Sequence, residues 1–168
     1  EAAHQMCSNP LTPGAQKPGA VGVPAGPEVR IAHEIEPKLT DRAIGEIVIS
    51  GPNVTPGYEN NPDANAKNFF EADGKRWFRT GDQGTFDADG YLSLTGRLKE
   101  IINRGGEKVS PLEVDGVLSA HPAIAQVVTF ALPHPKLGEE VAAAVVLREG
   151  EDITDRDVRD FASERLAD

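Results

Sequence analysis

The chain has 168 residues, enough for one ordinary domain or two small ones. Its 17 lysines and arginines stand against 27 aspartates and glutamates, and the resulting formal charge of −10 argues against binding to nucleic acid. A single cysteine, Cys7, excludes an internal disulfide and favours a reducing compartment, and no apolar run is long enough to span a membrane.

The first residues predict a chain cut from a longer protein. Residue 1 is glutamate rather than methionine, and residues 1–4 lack the charged and then apolar pattern of a signal peptide. We therefore expect further sequence before Glu1. We also expect a cytoplasmic location, with a peroxisomal address at a later carboxy terminus left open.

Residues 18–95 have the pattern of strands and turns. The polar segment 87–90 ends in glycine and separates two apolar runs, which predicts a β-hairpin. Residues 60–68 have room for one or two helical turns. Further strands are predicted where short β-branched runs are bounded by glycine or proline, at 21–23, 28–31 and 46–49. The whole segment predicts a small β-barrel or a folded sheet.

The second half of the chain begins with a predicted hairpin and helix. Gly105 and Gly106 form a turn between residues 98–102 and 108–109, which predicts a hairpin. Ser110, followed by proline and, three residues on, by Glu113, has the spacing of a capping box at the start of a helix. Pro122 is expected to close that helix.

Two apolar runs and a last helix complete the predicted elements. Residues 126–132 and 141–147 predict paired strands buried on both faces. Thr154, with Asp157 three residues later, predicts the cap of a final helix. The second half is therefore predicted to be a compact α+β unit.

Several residues could carry chemistry, although each also has a structural explanation. Asp82 follows glycine in a turn, where a carboxylate can accept two hydrogen bonds from a diol such as ribose, or can simply stabilise the turn. Arg97 and Lys99 flank the break between the two halves, where they could clamp a nucleotide or form an interdomain salt bridge. Gly105 and Gly106 could let a long thin ligand approach the backbone, or form a plain hairpin turn.

Other kinds of site are not supported by the sequence. The histidines at 4, 33, 121 and 134 do not pair with cysteine or acidic residues at metal-ligand spacing. Neither the phosphate-binding pattern G-x-x-x-x-G-K-[ST] nor the hydrolase pattern G-x-S-x-G occurs. Cys7 has no clear activating histidine.

Three ordered motifs resemble those of the adenylate-forming acyl-CoA synthetases. Residues 45–58, GEIVISGPNVTPGY, are similar to the family segment G-E-[LIV]-x-[LIV]-x-G-P-x-[LIV]-x-x-G-Y. Residues 77–82, WFRTGD, resemble its W-[FY]-x-T-G-D motif, and residues 96–114, GRLKEIINRGGEKVSPLEV, resemble its hinge motif. Each motif alone is weak, but their order and separation make the resemblance specific, and it covers the whole chain.

The resemblance implies a nucleotide site. Glu1 matches the glutamate that helps hold the Mg²⁺ accompanying ATP. Asp82 matches the aspartate that binds the ribose hydroxyls, and Arg97 matches an arginine that also contacts the nucleotide. ATP, Mg²⁺ and CoA are therefore the expected cofactors and co-substrates.

The resemblance also implies a hinge and a path for CoA. Lys99 matches the hinge about which the family swings its small domain between two half-reactions. Gly105 and Gly106 match the turn that lines the pantetheine path of CoA, and Lys108 matches a basic residue of the same loop.

The implied reaction has two steps. A carboxylic acid and ATP form an acyl-adenylate and pyrophosphate, and the CoA thiol then displaces AMP to give a thioester. The phosphate loop, the adenine-stacking aromatic and the catalytic lysine of the final motif are absent from the sequence. No catalytic set is therefore complete, and we expect the fragment alone to be inactive.

Within the family, residues 1–11 look most like the oxalate–CoA ligases. His4 would then border the acyl pocket and meet the second carboxylate of a short diacid such as oxalate. The alternative is that His4 packs or hydrogen-bonds locally and that the substrate is an aryl or fatty acid.

The expected architecture has two domains. Residues 1–96 would form the β-rich, barrel-like end of the large domain, 97–99 the hinge, and 100–168 the small α+β domain. Apolar surface exposed by the first unit would favour self-association.

Two alternative functions stay open. One is a fragment of a peptide-synthetase adenylation domain, although such domains usually carry aspartate where this chain has Lys99. The other is a non-catalytic binding or structural protein that keeps the fold.

Overall fold

The structure is a computed structural model in which residues 2–32, 39–40 and 44–166 are described. The chain divides into two compact units, Glu1–Leu98 and Lys99–Asp168. The described residues form helices and antiparallel sheets, so the fold is mixed α+β, as predicted. The division falls within the range 97–99 that was expected to be a hinge, while the roles of the two units stay predictions.

The elements of the first unit are β1 (Cys7–Ser8), β2 (Val23–Pro24), β3 (Glu28–Ala32), β4 (Leu39–Thr40), β5 (Gly45–Ser50), α1 (Pro62–Asn68), β6 (Phe69–Ala72), β7 (Lys75–Phe86) and β8 (Leu92–Arg97). Its described part is built around one antiparallel sheet with strand order β4-β3-β5-β7-β6, and β8 pairs with the later part of the long strand β7. A separate two-stranded sheet joins β1 to β2.

Most of the sequence predictions for this unit are confirmed. The runs 28–31 and 46–49 lie in β3 and β5, and the turn 87–90 joins β7 to β8 in an antiparallel hairpin. The segment 60–68 contains α1. Of the run 21–23, only Val23 lies in a strand, while Gly22 forms a single bridge with Leu92. Closure of the sheet into a barrel stays a prediction.

The core of the first unit covers both faces of β5. Side chains alternate between the two faces of a strand. Ile47 and Ile49 accordingly join one buried cluster, and Val48 joins another with Ala32 and Trp77. A strand buried on both faces is held firmly in place, which makes β5 a rigid support for its neighbour β7.

The long strand β7 contains a bulge beside β5. Val48 pairs with Arg79 and Glu46 pairs with Gln83, so residues 80–82 all lie opposite the single residue Ile47. Extra residues in one strand bend the chain locally and redirect its side chains. The bulge coincides with the Thr-Gly-Asp part of the second family-like motif.

The elements of the second unit are β9 (Ile102–Arg104), β10 (Glu107–Val109), α2 (Pro111–Ser119), β11 (Ile124–His134), β12 (Gly138–Leu147) and α3 (Asp155–Ser163). Within the described residues, two helices pack against a four-stranded sheet with strand order β10-β9-β12-β11. The predicted hairpin, the paired strands and the capping box of Thr154 and Asp157 are confirmed.

The predicted capping box at Ser110 is wrong, although α2 does begin directly after it. The Ser110 side chain makes no cap hydrogen bond. The Glu113 backbone N–H, which the box would have used, instead donates to the Ser110 carbonyl oxygen at 3.2 Å. The helix also ends at Ser119, before Pro122 is reached.

The prediction that the paired strands are buried on both faces is also wrong. Val127, Val145 and Leu147 pack with α2 and α3, but Val128 on the other face is 61% exposed and Phe130 is 41% exposed. Both described helices of this unit thus cover the same face of the sheet. Across the described ranges of the chain, no helix is both long enough and apolar enough to cross a membrane.

Candidate functional site

The bulge of β7 brings Asp82 and Arg97 together. Asp82 is the last of the bulged residues, and its register partner on β8 is Arg97. The Arg97 Nε donates to the Asp82 Oδ1 at 3.0 Å. The two side chains are 33% and 52% exposed, so both can contact a ligand that arrives from solvent.

This pair offers an acceptor and a donor side by side. A carboxylate can accept hydrogen bonds from two neighbouring hydroxyls, and a guanidinium presents several N–H donors in one plane. A partly exposed ion pair contributes at most about 1 kcal/mol to stability. The arrangement is therefore suited to contact with a hydroxyl-bearing ligand rather than to holding the fold together.

A buried carboxylate on β5 holds the bulge from the side. Glu46 is 8% exposed, and its Oε1 accepts a hydrogen bond from the Gly81 backbone N at 3.2 Å. Its Oε2 accepts from the Arg79 guanidinium at 2.5 Å, and that guanidinium lies over the Phe70 ring. Gly81 has φ +77°, a conformation that favours glycine. Glu46 therefore fixes the backbone immediately before Asp82.

Two further hydrogen bonds fix the residues around Gly81. The Thr80 Oγ1 donates to the Ile47 carbonyl at 2.8 Å and accepts from the Asp82 backbone N at 3.1 Å. The Leu98 backbone N donates to the Gly81 carbonyl at 2.9 Å. The motif Thr-Gly-Asp is thus held by the Thr80 side chain, by the neighbouring strand β5 and by the backbone of Leu98.

In the second unit, Gly105 and Gly106 form the predicted turn between β9 and β10. Their φ angles are +63° and +103°, which explains why glycine occupies both positions. The Gly105 backbone N donates to the Leu137 carbonyl at 2.8 Å, and a Cβ at Gly105 would lie 3.1 Å from the Leu137 side chain. Lys108 is exposed on β10, where it pairs in register with Asn103.

The start of β12 supports this turn through two acidic side chains. The Asn103 backbone N donates to Glu139 at 2.6 Å, and the Arg104 Nε donates to Glu140 at 2.6 Å. The hydrogen bond from Arg104 lowers the pKa of Glu140 and raises the pKa of Arg104 itself. Both groups are therefore charged over the whole physiological pH range.

The remaining predicted residues lie apart from these two clusters. Lys99 is exposed in the turn that follows β8. His4 is exposed with φ +61° and lines a cleft of about 540 Å³ together with Gly26 and Asn53. Glu1, the predicted magnesium ligand, lies outside the described residues. Cys7 is half-buried, and burial raises the pKa of its thiol to about 11, so it is a poor nucleophile at neutral pH.

Five residues of these clusters were missed by the sequence reasoning. Glu46, Arg79 and Thr80 support Asp82, and Glu139 and Glu140 support the Gly105 turn. Glu46 did give a signal, because a charged residue stands next to an apolar β-branched run. The partners of these residues depend on strand register, which the sequence alone does not reveal.

Sequence comparison relates the chain to known enzymes. The family model for the "AMP-binding enzyme C-terminal domain" matches residues 113–168. The oxalate–CoA ligase of Arabidopsis thaliana is 51% identical over 99% of this chain, which spans 32% of that relative. The oxalate–CoA ligase of Saccharomyces cerevisiae is 50% identical over 99% of the chain, which spans 30% of it. The chain thus covers about a third of the length of these relatives.

Comparison with solved structures also relates the chain to enzymes that bind ATP or AMP. The ATP-bound structure of MatB from Rhodopseudomonas palustris matches with a TM-score of 0.86 and 34% identity. The match covers 96% of this chain and 32% of the MatB chain. The structure of o-succinylbenzoate CoA synthetase from Bacillus subtilis in complex with AMP matches with a TM-score of 0.80 and 30% identity, over 98% of this chain and 32% of that one.

Proposed function

Because the chain belongs to the adenylate-forming acyl-CoA synthetase family, we propose that it is part of an ATP-dependent acid–CoA ligase. In the first step a carboxylate attacks the α-phosphorus of ATP, which forms an acyl-adenylate and releases pyrophosphate. In the second step the sulfur of CoA attacks the acyl carbon, and AMP leaves with the electrons of the broken C–O bond.

The observation that carries this proposal is the pairing of Asp82 with Arg97 at the bulge of β7. The Asp82 carboxylate would accept hydrogen bonds from the 2′ and 3′ hydroxyls of ribose. Arg97 would donate to the same nucleotide through its planar guanidinium. The sugar would thus be held by a rigid strand, which is what a reaction at the neighbouring phosphate needs.

The second unit would supply the contacts with CoA. Gly105 and Gly106 leave the backbone accessible to the thin pantetheine arm, and the exposed Lys108 carries a positive charge on the same hairpin. Contacts to Leu137, Glu139 and Glu140 would hold this hairpin in shape. Lys99, at the division between the two units, would act as the hinge.

Magnesium is the other expected cofactor, and bound Mg²⁺ would offset charge on the phosphates of ATP. The described residues contain no group of three or more His, Cys, Asp or Glu side chains arranged to hold a metal ion. The expected ligand Glu1 lies outside those residues, so no step is assigned to the metal here.

For the substrate, we propose oxalate or a similar short diacid. The support is the similarity to two oxalate–CoA ligases across nearly the whole chain. The cleft beside His4 would hold the second carboxylate of such an acid. An imidazole N–H of His4 would donate a hydrogen bond to that carboxylate, which is charge-assisted because the acceptor is an anion.

Acid-dependent AMP formation tests the proposed function. The assay uses the full-length ligase that contains this chain, with ATP, Mg²⁺ and CoA, and compares oxalate, coumarate, acetate and a medium-chain fatty acid. We expect AMP and the CoA thioester to form in equal amounts, with oxalate as the preferred acid. Preference for another acid would overturn only the choice of substrate, whereas inactivity with a broad range of acids would overturn the ligase proposal.

Replacing His4 by alanine tests the acyl-pocket role. If His4 contacts the second carboxylate, His4→Ala should raise KM for oxalate by about tenfold, the size of one lost charge-assisted hydrogen bond. KM for ATP and for CoA should stay unchanged. His121→Ala, a change of the same kind in the second unit, serves as the control. An unchanged KM for oxalate in His4→Ala would show that His4 has a local structural role.

A further inference from the structure

We propose that Glu46 is a positioning residue of the nucleotide site, which acts through the backbone of Gly81 and does not touch the nucleotide. This inference rests on the proposed function, since it concerns how Asp82 is aimed at ribose. It concerns a residue of β5, the strand beside the one that carries Asp82.

Glu46 is an unusual residue for its location. The residues from Gly45 to Ile49 are all buried, and Glu46 is the charged member of this strand core. A buried carboxylate is costly unless it is paired, and replacing a buried ion pair by apolar side chains often leaves stability unchanged or higher. Fold stability therefore does not explain why a carboxylate occupies this position, whereas its directed hydrogen bonds do.

Those contacts converge on the residue before Asp82. Both oxygens of Glu46 are engaged, one with the Gly81 backbone N at 3.2 Å and the other with Arg79 at 2.5 Å. On the other side, the Gly81 carbonyl accepts from the Leu98 backbone N at 2.9 Å. The peptide groups on both sides of Gly81 are thus anchored, so the direction in which Asp82 leaves the bulge is set.

The bulge makes this anchor necessary. Residues 80–82 lie opposite Ile47 alone on β5, so pairing with β5 does not determine their backbone conformation. Gly81 has no side chain to limit its backbone torsions, and no atom lies within 4 Å of the position that its Cβ would take. Without Glu46, the Gly81 N–H loses its acceptor and the peptide group between Thr80 and Gly81 can rotate, which would move the Asp82 carboxylate relative to a bound ribose.

Glu46→Leu and Glu46→Gln separate this role from a purely structural one. Leucine fills the buried space without an acceptor, whereas glutamine keeps an oxygen that can accept from the Gly81 N–H. Both are made in the full-length ligase, and the dissociation constant for AMP is measured by calorimetry beside the melting temperature. Glu59→Leu, the same change at an exposed glutamate of the first unit, is the control.

We expect Glu46→Leu to weaken AMP binding by about 10- to 100-fold, the size of one hydrogen bond lost between ribose and the displaced Asp82 carboxylate, while the protein still melts cooperatively. Glu46→Gln should bind AMP within about threefold of the unsubstituted ligase, because one hydrogen bond is kept. In steady-state kinetics the change should appear in KM for ATP, with KM for the acid and for CoA unchanged.

Three results would overturn the proposal. Unchanged AMP binding in Glu46→Leu would show that Gly81 needs no anchor. Loss of cooperative melting would show that Glu46 is required for folding. Equal weakening in the Leu and Gln variants would assign the effect to the charge next to Arg79. Failure of the proposed function gives a different result, namely that the unsubstituted ligase forms no AMP with any acid or does not bind AMP.

Discussion

Replacing Asp82 by alanine in the full-length ligase is expected to lower kcat/KM for ATP by about 100-fold or more. The carboxylate would accept hydrogen bonds from two ribose hydroxyls, and a hydrogen bond to a charged group contributes about 1.5–3 kcal/mol. Losing two such bonds removes about 3–6 kcal/mol, which corresponds to roughly 100- to 10,000-fold in rate or affinity. Most of the loss should appear in KM for ATP, because the ribose is bound in both the ground state and the transition state.

Comparison with 2′-deoxy-ATP makes the Asp82 test specific. The unsubstituted ligase should use ATP much better than 2′-deoxy-ATP, whereas Asp82→Ala should use the two nucleotides almost equally. Asp63→Ala, at an exposed aspartate of α1, is the control and should keep the preference. Because the Asp82–Arg97 ion pair is partly exposed, its loss should hardly change the melting temperature. A retained preference for ATP in Asp82→Ala would show that another group binds the sugar.

The features that could be predicted from the sequence are those formed by residues that lie within a few positions of one another along the chain. The hairpin at 87–90 follows from a glycine that ends a polar turn, and the cap at Thr154 follows from the acidic residue three positions later. In both cases the interacting groups are neighbours along the chain, so their spacing is fixed by local backbone geometry.

The features that were missed or predicted wrongly depend on distant residues. The role of Glu46 requires that β5 lies beside β7 in one register, with residues 80–82 bulged, and this follows from packing of the whole sheet. At Ser110 the spacing of a capping box is present, yet the backbone carbonyl takes the N–H that the side chain would have bound. The sequence spacing therefore allows the Glu113 N–H to bind either the side-chain oxygen or the backbone oxygen of Ser110, and it does not show which of the two accepts.

The exposed face of β11 and β12 is a third feature that the sequence predicted wrongly because it depends on distant residues. An apolar run predicts burial, and the sequence does not show which elements supply the cover. Within the described residues, α2 and α3 both lie on the face of Val127 and Val145, which leaves Val128, Phe130 and Val146 exposed. Self-association is predicted for the first unit, and this exposed apolar face of the second unit is a further surface that favours it.

Replacing Lys99 by proline should separate the two half-reactions. Proline fixes its own φ near −65° and restricts the preceding residue to extended conformations. Leu98 is already anchored to the Gly81 carbonyl, so rotation at a hinge here has to occur at Lys99 and the residues after it. We expect Lys99→Pro to keep acyl-adenylate formation, measured as pyrophosphate exchange, within about threefold, because one of the two arrangements can still tolerate the fixed torsion.

Thioester formation in Lys99→Pro should fall by about tenfold or more, since a proline in backbone torsions that it cannot adopt costs more than about 1 kcal/mol. Lys99→Ala removes the charge but leaves the torsions free, and it should therefore form thioester at nearly the normal rate. Ala88→Pro, at the second position of the β7–β8 turn, is the control for the effect of introducing a proline, because that position tolerates one. Equal loss of both half-reactions in Lys99→Pro would indicate a folding defect, and normal thioester formation would show that the chain does not turn at Lys99. Only a loss confined to the second step supports a hinge, because a residue that merely bound nucleotide would slow the first step as well.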